Sequence, residues 1–362
     1  MRHRLHSICP YFAMFPETFV REQIEELRPP GVIFDPFAGR GTTPFEAVLN
    51  GYQAAGTDTN PVAVCISNAK LNAPTLARTL RRLDALEQEF NDYDEDSDTD
   101  EFFEWCYSKS TLGELRFLRQ RLRWRKDRTD CFLAALALWS LHGESHRSPN
   151  YFSNRMPRTI STKPQYSVRW WKRHRCKPPK RDVFGILRRM AEFRLRDTTP
   201  KIRSRVAEKD ARLAYGAFPS LLGRVSTVIT SPPYLDVTSY HEDQWLRLWF
   251  LGGPGSPTPS RFDDRHTSSE YYWKFLTDSW RGISPLLARK AVIVIRIGGK
   301  YLRLESVKER LLSGLCEGLQ RDVTALEKGA ISTFRKGQRR IFHNNFSRGM
   351  RREFDLRFLI HE

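Results

Sequence analysis

The pattern of apolar and polar positions divides the chain into two kinds of sequence. In residues 1–70 and 205–362, short apolar runs alternate with amphipathic stretches. Residues 11–27 predict a turn feeding a helix, with Phe19, Ile24 and Leu27 on its buried side. Val32-Ile33-Phe34 is a short apolar run typical of a strand in a parallel sheet. A glycine-bearing turn, Asp35 to Gly41, follows it. Thr42 or Thr43 can then cap a helix with Pro44 in its first turn, Phe45, Val48 and Leu49 as its apolar stripe, and Gly51 as its stop. Gln53–Thr57 predicts the next strand, closed by Asp58-Thr59-Asn60-Pro61. Strand, helix, strand is the opening unit of a doubly wound α/β fold. After RVAEKDAR the same pattern resumes. A strand is expected at VSTVIT (225–230), helices over 243–251, 269–289 and 304–319, a strand at AVIVIRIGG (291–299) and a last strand at EFDLRFLI (353–360).

Residues 71–204 read differently and are expected to be an insertion, largely helical and rich in aromatic residues. Helices are predicted over 62–90, in two stretches of 111–146 and over 182–196. Residues 84–104 hold eleven acids and no bases, and predict a solvated linker. Proline, aromatic and basic residues alternate without period over 147–181.

Charge sharpens this division. The chain carries a net +18. Residues 116–205 hold 25 Lys and Arg against 6 Asp and Glu, and the rest of the chain is close to neutral. A polyanion, nucleic acid above all, is the partner such a segment suits. Six scattered cysteines with no CxxC pair predict reduced thiols in an intracellular, cytoplasmic protein, with neither a zinc site nor a disulfide framework. No run of about 20 apolar residues is present to span a membrane.

Three short stretches carry chemistry. In DPFAGRGTT, a glycine loop between a strand and a helix lets a ligand approach the backbone closely. At the end of the next strand, the Asp58 carboxylate can accept both hydroxyl protons of a ribose, or cap the helix after Pro61. Together they predict a site for an adenosine-containing cofactor. The third stretch is Thr230-Ser231-Pro232-Pro233-Tyr234. Two prolines end the strand at the carboxyl edge of the sheet, where α/β folds place ligands. A serine hydroxyl and a proline carbonyl are two acceptors, and a tyrosine ring is a flat face, which suits a planar base bearing an exocyclic NH2.

FDPFAGRGTT, TDTNP and TSPPY together resemble the amino-methyltransferases that use S-adenosylmethionine. TSPPY is most similar to the DNA N4-cytosine type, since adenine-specific relatives usually carry Asp or Asn before the two prolines. The resemblance covers about residues 10–70 and 205–300. It implies a mostly parallel seven-stranded sheet, the Rossmann-like class I methyltransferase fold. It places Ser231, Pro232, Pro233 and Tyr234 in the catalytic turn, and Asp35, Pro36, Phe37, Ala38, Gly39, Gly41, Thr42 and Asp58 around the cofactor. YFAMFPETFV resembles the motif packed against the cofactor's methionine part, here Tyr11, Phe15 and Pro16. KDAR, with Asp210, resembles the segment reaching its adenine. The insertion takes the place of the target-recognition region, although it begins earlier than is usual, before KDAR. Arg155, Arg158, Arg169 and Lys172 are its candidates for contact with double-stranded DNA whose target base is flipped out. Trp170 and Trp171 are either wedges between bases or subdomain core. The resemblance also implies protection of host DNA, with a restriction endonuclease acting separately. Adenine N6, guanosine N2 in RNA, or a nucleic-acid-binding protein without activity are the alternative readings. No metal is implied. The single Cys-Pro pair, Cys9-Pro10, precedes the cofactor loop, out of place for a cytosine-C5 nucleophile.

Overall fold

The computed structural model describes residues 2–11, 16–91, 100–156, 163–234, 243–258, 268–298, 303–326, 330–332 and 353–362. The chain forms two compact units. One comprises Tyr11–Ser67, Pro200–Thr238 and Arg261–Glu362; the other comprises Met1–Pro10, Asn68–Thr199 and Ser239–Ser260. The sequence reading divides the chain at 70/71 and 204/205. The first ten residues and Ser239–Ser260 nonetheless group with the inserted segment.

The first unit is the doubly wound sheet. Its strands are β1 (Val32–Asp35), β2 (Ala54–Asp58), β3 (Arg205–Glu208), β4 (Val225–Thr230), β5 (Leu287–Gly298), β6 (Val323–Ala325), β7 (Ala330–Ser332) and β8 (Glu353–Ile360). They lie in the order β3-β2-β1-β4-β5-β8-β6, with β7 also paired to β8. The five strands β3 to β5 in this order are mutually parallel, and β8 runs antiparallel to β5 and to both short edge strands. The mostly parallel, seven-position sheet expected from sequence is therefore present.

The apolar runs explain the layering. β1 and β4 are buried along their whole length, as strands covered on both faces must be. One face is covered by helix α1 (Glu17–Leu27) and helix α2 (Thr42–Leu49), through Phe19, Val20, Ile24 and Ala47 against Ile33, Ala54, Ile229 and Val294. The other is covered by helix α3 (Ser269–Ile283) and helix α4 (Leu304–Leu319). Their Phe275, Trp280, Leu311 and Leu315 lie in one cluster with Phe34, Val228, Ile293 and Phe358. β8 alternates between these faces. Phe354, Leu356, Phe358 and Ile360 join the second cluster, while Glu353, Asp355 and Arg357 point the other way. α3 ends at Ile283 and β5 begins at Leu287, earlier than the sequence reading, because Pro285 closes a short 3-10 turn between them.

The second unit is helical. Leu76–Asn91, Lys109–Arg121, Arg128–Ser140 and Val183–Arg194 are its longer helices. The acidic stretch 84–104, expected from sequence to be a solvated linker, is helical at both of its described ends. It is helix up to Asn91 and helix again from Glu101, where Phe102 and Phe103 are buried; residues 92–99 lie outside the described residues. Its acids take the arginines of the basic segment as partners: Arg121 pairs with Glu89, and Arg188 with Asp84 and Glu87. Two stretches that looked opposed in charge thus neutralise each other locally. The aperiodic segment 147–181 also contains a helix, Pro164–Arg173, with Ser167, Val168 and Trp171 on its buried side.

Candidate active site

The order β2-β1-β4-β5 places a topological switch between β1 and β4, since the chain leaves β1 toward β2 and returns from β3 to β4. Ligands of such sheets bind at the carboxyl ends flanking that point. The glycine loop follows β1, Asp58 ends β2, Asp210 follows β3 and Ser231 follows β4. The sheet therefore brings all four sequence-selected segments to one edge.

The glycine loop is built by close approach. Gly39 and Gly41 adopt φ 51° and 71°, the left-handed region that a side chain disfavours. A Cβ on Gly41 would lie 2.6 Å from Ser67 Oγ, and that hydroxyl donates to Gly39 O at 2.9 Å. A Cβ on Gly56, in β2, would lie 2.6 Å from Asp35 O. Gly41 itself is the N-cap of α2, without a side-chain cap bond, so neither threonine caps the helix as expected. Thr42 is buried in the first turn, and Thr43 donates instead to Ile229 O on β4 at 3.0 Å.

Asp58 shapes the same loop. Its Oδ2 accepts from Gly39 N and its Oδ1 from Asn60 N, both at 2.8 Å. Asn60 Nδ2 in turn donates to Tyr11 Oη at 2.8 Å, so the TDTNP turn holds the tyrosine of the upstream motif. Pro16 is the N-cap of α1; Phe15 lies outside the described residues. Pro36 and Ala38 are buried in the loop, and Phe37 packs half-buried against Phe275 and Trp280. Asp210 caps the short 3-10 turn after β3 and pairs with Arg212 at 2.7 Å.

Asp35 is fully buried. Its Oδ1 accepts from Phe37 N at 3.0 Å and from the Thr230 hydroxyl at 2.6 Å, while Oδ2 lacks a hydrogen bond. Burial pushes its pKa up to about 7, against the opposing hydrogen bond of Thr230. The Thr230 bond joins the residue that opens the glycine loop to the residue that precedes Ser231.

In the turn after β4, Ser231 and Pro233 are half-buried and Pro232 is buried. Tyr234 is only 8% exposed, and its hydroxyl donates to Glu353 Oε1 at 2.7 Å. The ring is thus a buried, anchored phenol where the sequence suggested an open face. Glu353 was missed; a carboxylate on the last strand, 119 residues from the turn, has no local sequence mark. Behind it, Arg296 donates twice to Asp355, at 2.6 and 2.7 Å, and lies 3.8 Å from the centroid of Phe19.

In the helical unit, Arg155 is exposed and its guanidinium lies 5.6 Å from the Trp170 ring centroid. Trp170 stacks on His174 at 4.2 Å. Trp171 is core, with no exposure, and its Nε1 donates to Arg155 O at 2.5 Å. Buried Asn154, also missed, ties this segment by donating to Trp105 O and Cys176 O. Arg169 is exposed without an ion pair among the described residues. Lys172 is paired with Glu101 and lies over Trp105. Arg158 lies outside the described residues. Among those described, no three His, Cys, Asp or Glu gather as metal ligands, and no helix is long and apolar enough to cross a membrane.

No protein-family model matches the chain, and no curated protein does. Among solved structures, the chain is similar to the rRNA methyltransferase aviRa from Streptomyces viridochromogenes, with 12% identity, 96% of this chain and 87% of that one covered, and a TM-score of 0.34. It is similar to TrmN from Thermus thermophilus at 9% identity, covering 97% and 50%, TM-score 0.34. It is also similar to a 16S rRNA (adenine(1408)-N(1))-methyltransferase variant from Catenulisporales acidiphilia at 8% identity, covering 97% and 95%, TM-score 0.34. Likenesses this distant carry no argument about activity. The fold rests on the strand order and register of the chain itself, a Rossmann-like doubly wound sheet.

Proposed function

We propose that this chain is an S-adenosylmethionine-dependent methyltransferase acting on an exocyclic amino group in DNA, with N4 of cytosine as the acceptor. The observation that carries the proposal is the 2.6 Å hydrogen bond from Thr230 to Asp35, which couples the glycine loop to the Ser-Pro-Pro-Tyr turn at the switch point of the sheet. Two features support the cofactor: the tight glycine loop, where Gly39 and Gly41 hold left-handed backbone, and the Asp58 carboxylate that ends β2 and is bonded to that loop at Gly39 N. When bound, S-adenosylmethionine supplies an electrophilic methyl group on a sulfonium.

The chain's own residues do the rest. An exocyclic nitrogen is a poor nucleophile because its lone pair is delocalised into the base. Accepting its two N–H bonds at Ser231 Oγ and the Pro232 carbonyl favours a pyramidal nitrogen and aims the lone pair outward. In-line positioning supplies the remaining acceleration. Ser231, in place of an acid, is the reason for preferring cytosine N4 to adenine N6. The basic helical unit, through exposed Arg155 and Arg169, supplies phosphate or base contacts that offset the few kcal/mol lost when a base leaves the stack. Protection of host DNA beside a separate endonuclease is the role this activity suits.

The test is label transfer from methyl-labelled S-adenosylmethionine to unmethylated DNA and to RNA in parallel. Incorporation into DNA that is abolished by Tyr234→Ala, with cofactor affinity retained, supports the reading. Incorporation into RNA alone overturns the assignment of substrate.

A further inference from the structure

Basic residues of the helical unit fall into two groups. Several on its longer helices are neutralised: Arg78 pairs with Asp127, Arg82 with Asp130, Arg121 with Glu89, and Arg188 with Asp84 and Glu87. Residues 163–181 differ, holding eight Lys and Arg and no Asp or Glu. Lys172 pairs with Glu101. Lys163, Arg169, Arg173, Arg175, Lys177 and Lys180 are exposed and have no ion pair among the described residues. Positive charge is therefore left uncompensated along helix Pro164–Arg173 and the turn after it. That turn is well fixed. The helix ends in a Schellman motif, in which Cys176 N donates to Trp171 O at 3.0 Å and Arg175 N to Lys172 O at 3.2 Å. Buried Asn154 holds the turn by donating to Cys176 O at 2.9 Å, and Trp171 has no exposure. Arg175 takes φ 51° in the motif, at the position glycine usually fills. Arg28 and Gln320 end two other helices in the left-handed region, but each has acids within three residues in sequence.

We propose that helix Pro164–Arg173 and its left-handed turn form the element that docks on duplex DNA, with the helix in the major groove and Arg173 and Arg175 on backbone phosphates. This inference deepens the DNA reading above and rests on it. Gln165, Arg169 and Arg173 follow at i, i+4 and i+8, one exposed line along a helix about 15 Å long. Ser167, Val168 and Trp171 form the buried side. A helix with its side chains is about 10–12 Å across and fits the major groove of B-DNA, about 12 Å wide. The deep, narrow major groove of an RNA duplex does not admit it. The C-terminal end of a helix carries partial negative charge and by itself repels a phosphate. Arg173, Arg175, Lys177 and Lys180 reverse that sign. Glycine at position 175 would relieve the backbone and give up a cation; the chain keeps the cation.

The experiment measures binding of the full chain to a fluorescently labelled DNA duplex of mixed sequence, and to an RNA duplex of the same sequence, by anisotropy from about 50 to 200 mM salt. Arg175→Gly is the decisive variant. Glycine fills a left-handed position without strain, so the melting temperature should hold or rise while the charge is lost. Its affinity for DNA should fall about five- to tenfold at about 0.1 M salt, and the slope of log affinity against log salt should shrink by about 0.9, the loss of one phosphate contact. Arg173→Ala should do the same. Arg28→Gly makes the same backbone change in the sheet unit and should leave the slope as in wild type. A slope unchanged in both Arg175→Gly and Arg173→Ala overturns the inference, as does an equal loss in Arg28→Gly. A wild type that binds DNA no more tightly than RNA overturns the DNA reading itself. That failure shows without any variant, so the two are distinguishable.

Discussion

Replacing Asp35 by asparagine isolates one strongly shifted ionisation in the site. The two side chains have the same shape, and the amide oxygen of the variant can still accept from Thr230 and Phe37, as Asp35 Oδ1 does at 2.6 and 3.0 Å. What changes is charge. In the folded chain, burial raises the Asp35 carboxyl from 3.8 to about 7. Each tenfold ratio is worth about 1.4 kcal/mol, so the gap amounts to on the order of 4 kcal/mol. Below about pH 4 the carboxyl is neutral in both folded and unfolded chains. From there to about pH 7 the unfolded chain ionises while the folded chain keeps its proton, and the fold loses stability. Above that the loss is constant. The amide of the variant does not titrate. Urea denaturation of both proteins across this range should show the wild type losing stability relative to Asp35→Asn by several kcal/mol, then levelling off. Other raised carboxyls, Glu114 and Glu353, are common to both proteins and cancel in the difference. A difference that stays flat with pH would refute the reasoning.

Three further outcomes are expected. Gly41→Ala places a side chain at φ 71° and 2.6 Å from Ser67 Oγ; a left-handed residue alone costs about 1–2 kcal/mol, so the melting temperature should fall by several degrees and the cofactor KM rise. Asp58→Ala removes the acceptor of Gly39 N and should raise the cofactor KM about tenfold or more with a smaller effect on kcat, as steady-state kinetics will show. Arg169→Ala should lower the slope of log affinity for DNA against log salt by about 1 if that exposed side chain meets a phosphate, or relax sequence preference at one base pair if it meets a base.

The doubly wound unit was legible because its strands are continuous apolar runs and its turns carry glycine and proline at positions only those residues fill. Val32–Phe34 and VSTVIT could hardly be anything but buried strands. Asp35, Gly39, Gly41 and Asp58 were legible for the same reason, as Asp35 and Asp58 end consecutive strands and the two glycines lie in the turn directly after the first. Glu353, Arg296 and the bond that Thr230, named in sequence only as the start of TSPPY, makes to Asp35 were not. Their roles depend on which strands become neighbours, and nothing near Glu353 marks that it will face Tyr234. The helical unit was harder. The helix Pro164–Arg173 is short and basic, and its buried Trp171 sits beside half-buried Trp170, so periodicity alone does not separate anchor from surface. The acidic stretch was misread because composition reports solvation, whereas Phe102 and Phe103 within it are buried and its acids find arginines through tertiary packing.

The central claim is that the glycine loop and the Ser-Pro-Pro-Tyr turn form one centre that methylates an exocyclic amine of DNA. Nucleoside mass spectrometry of DNA incubated with the protein and methyl-labelled S-adenosylmethionine tests it most directly. N4-methylcytosine is the product the account predicts. N6-methyladenine would keep the centre and contradict the role given to Ser231; label in RNA and none in DNA would contradict the claim itself.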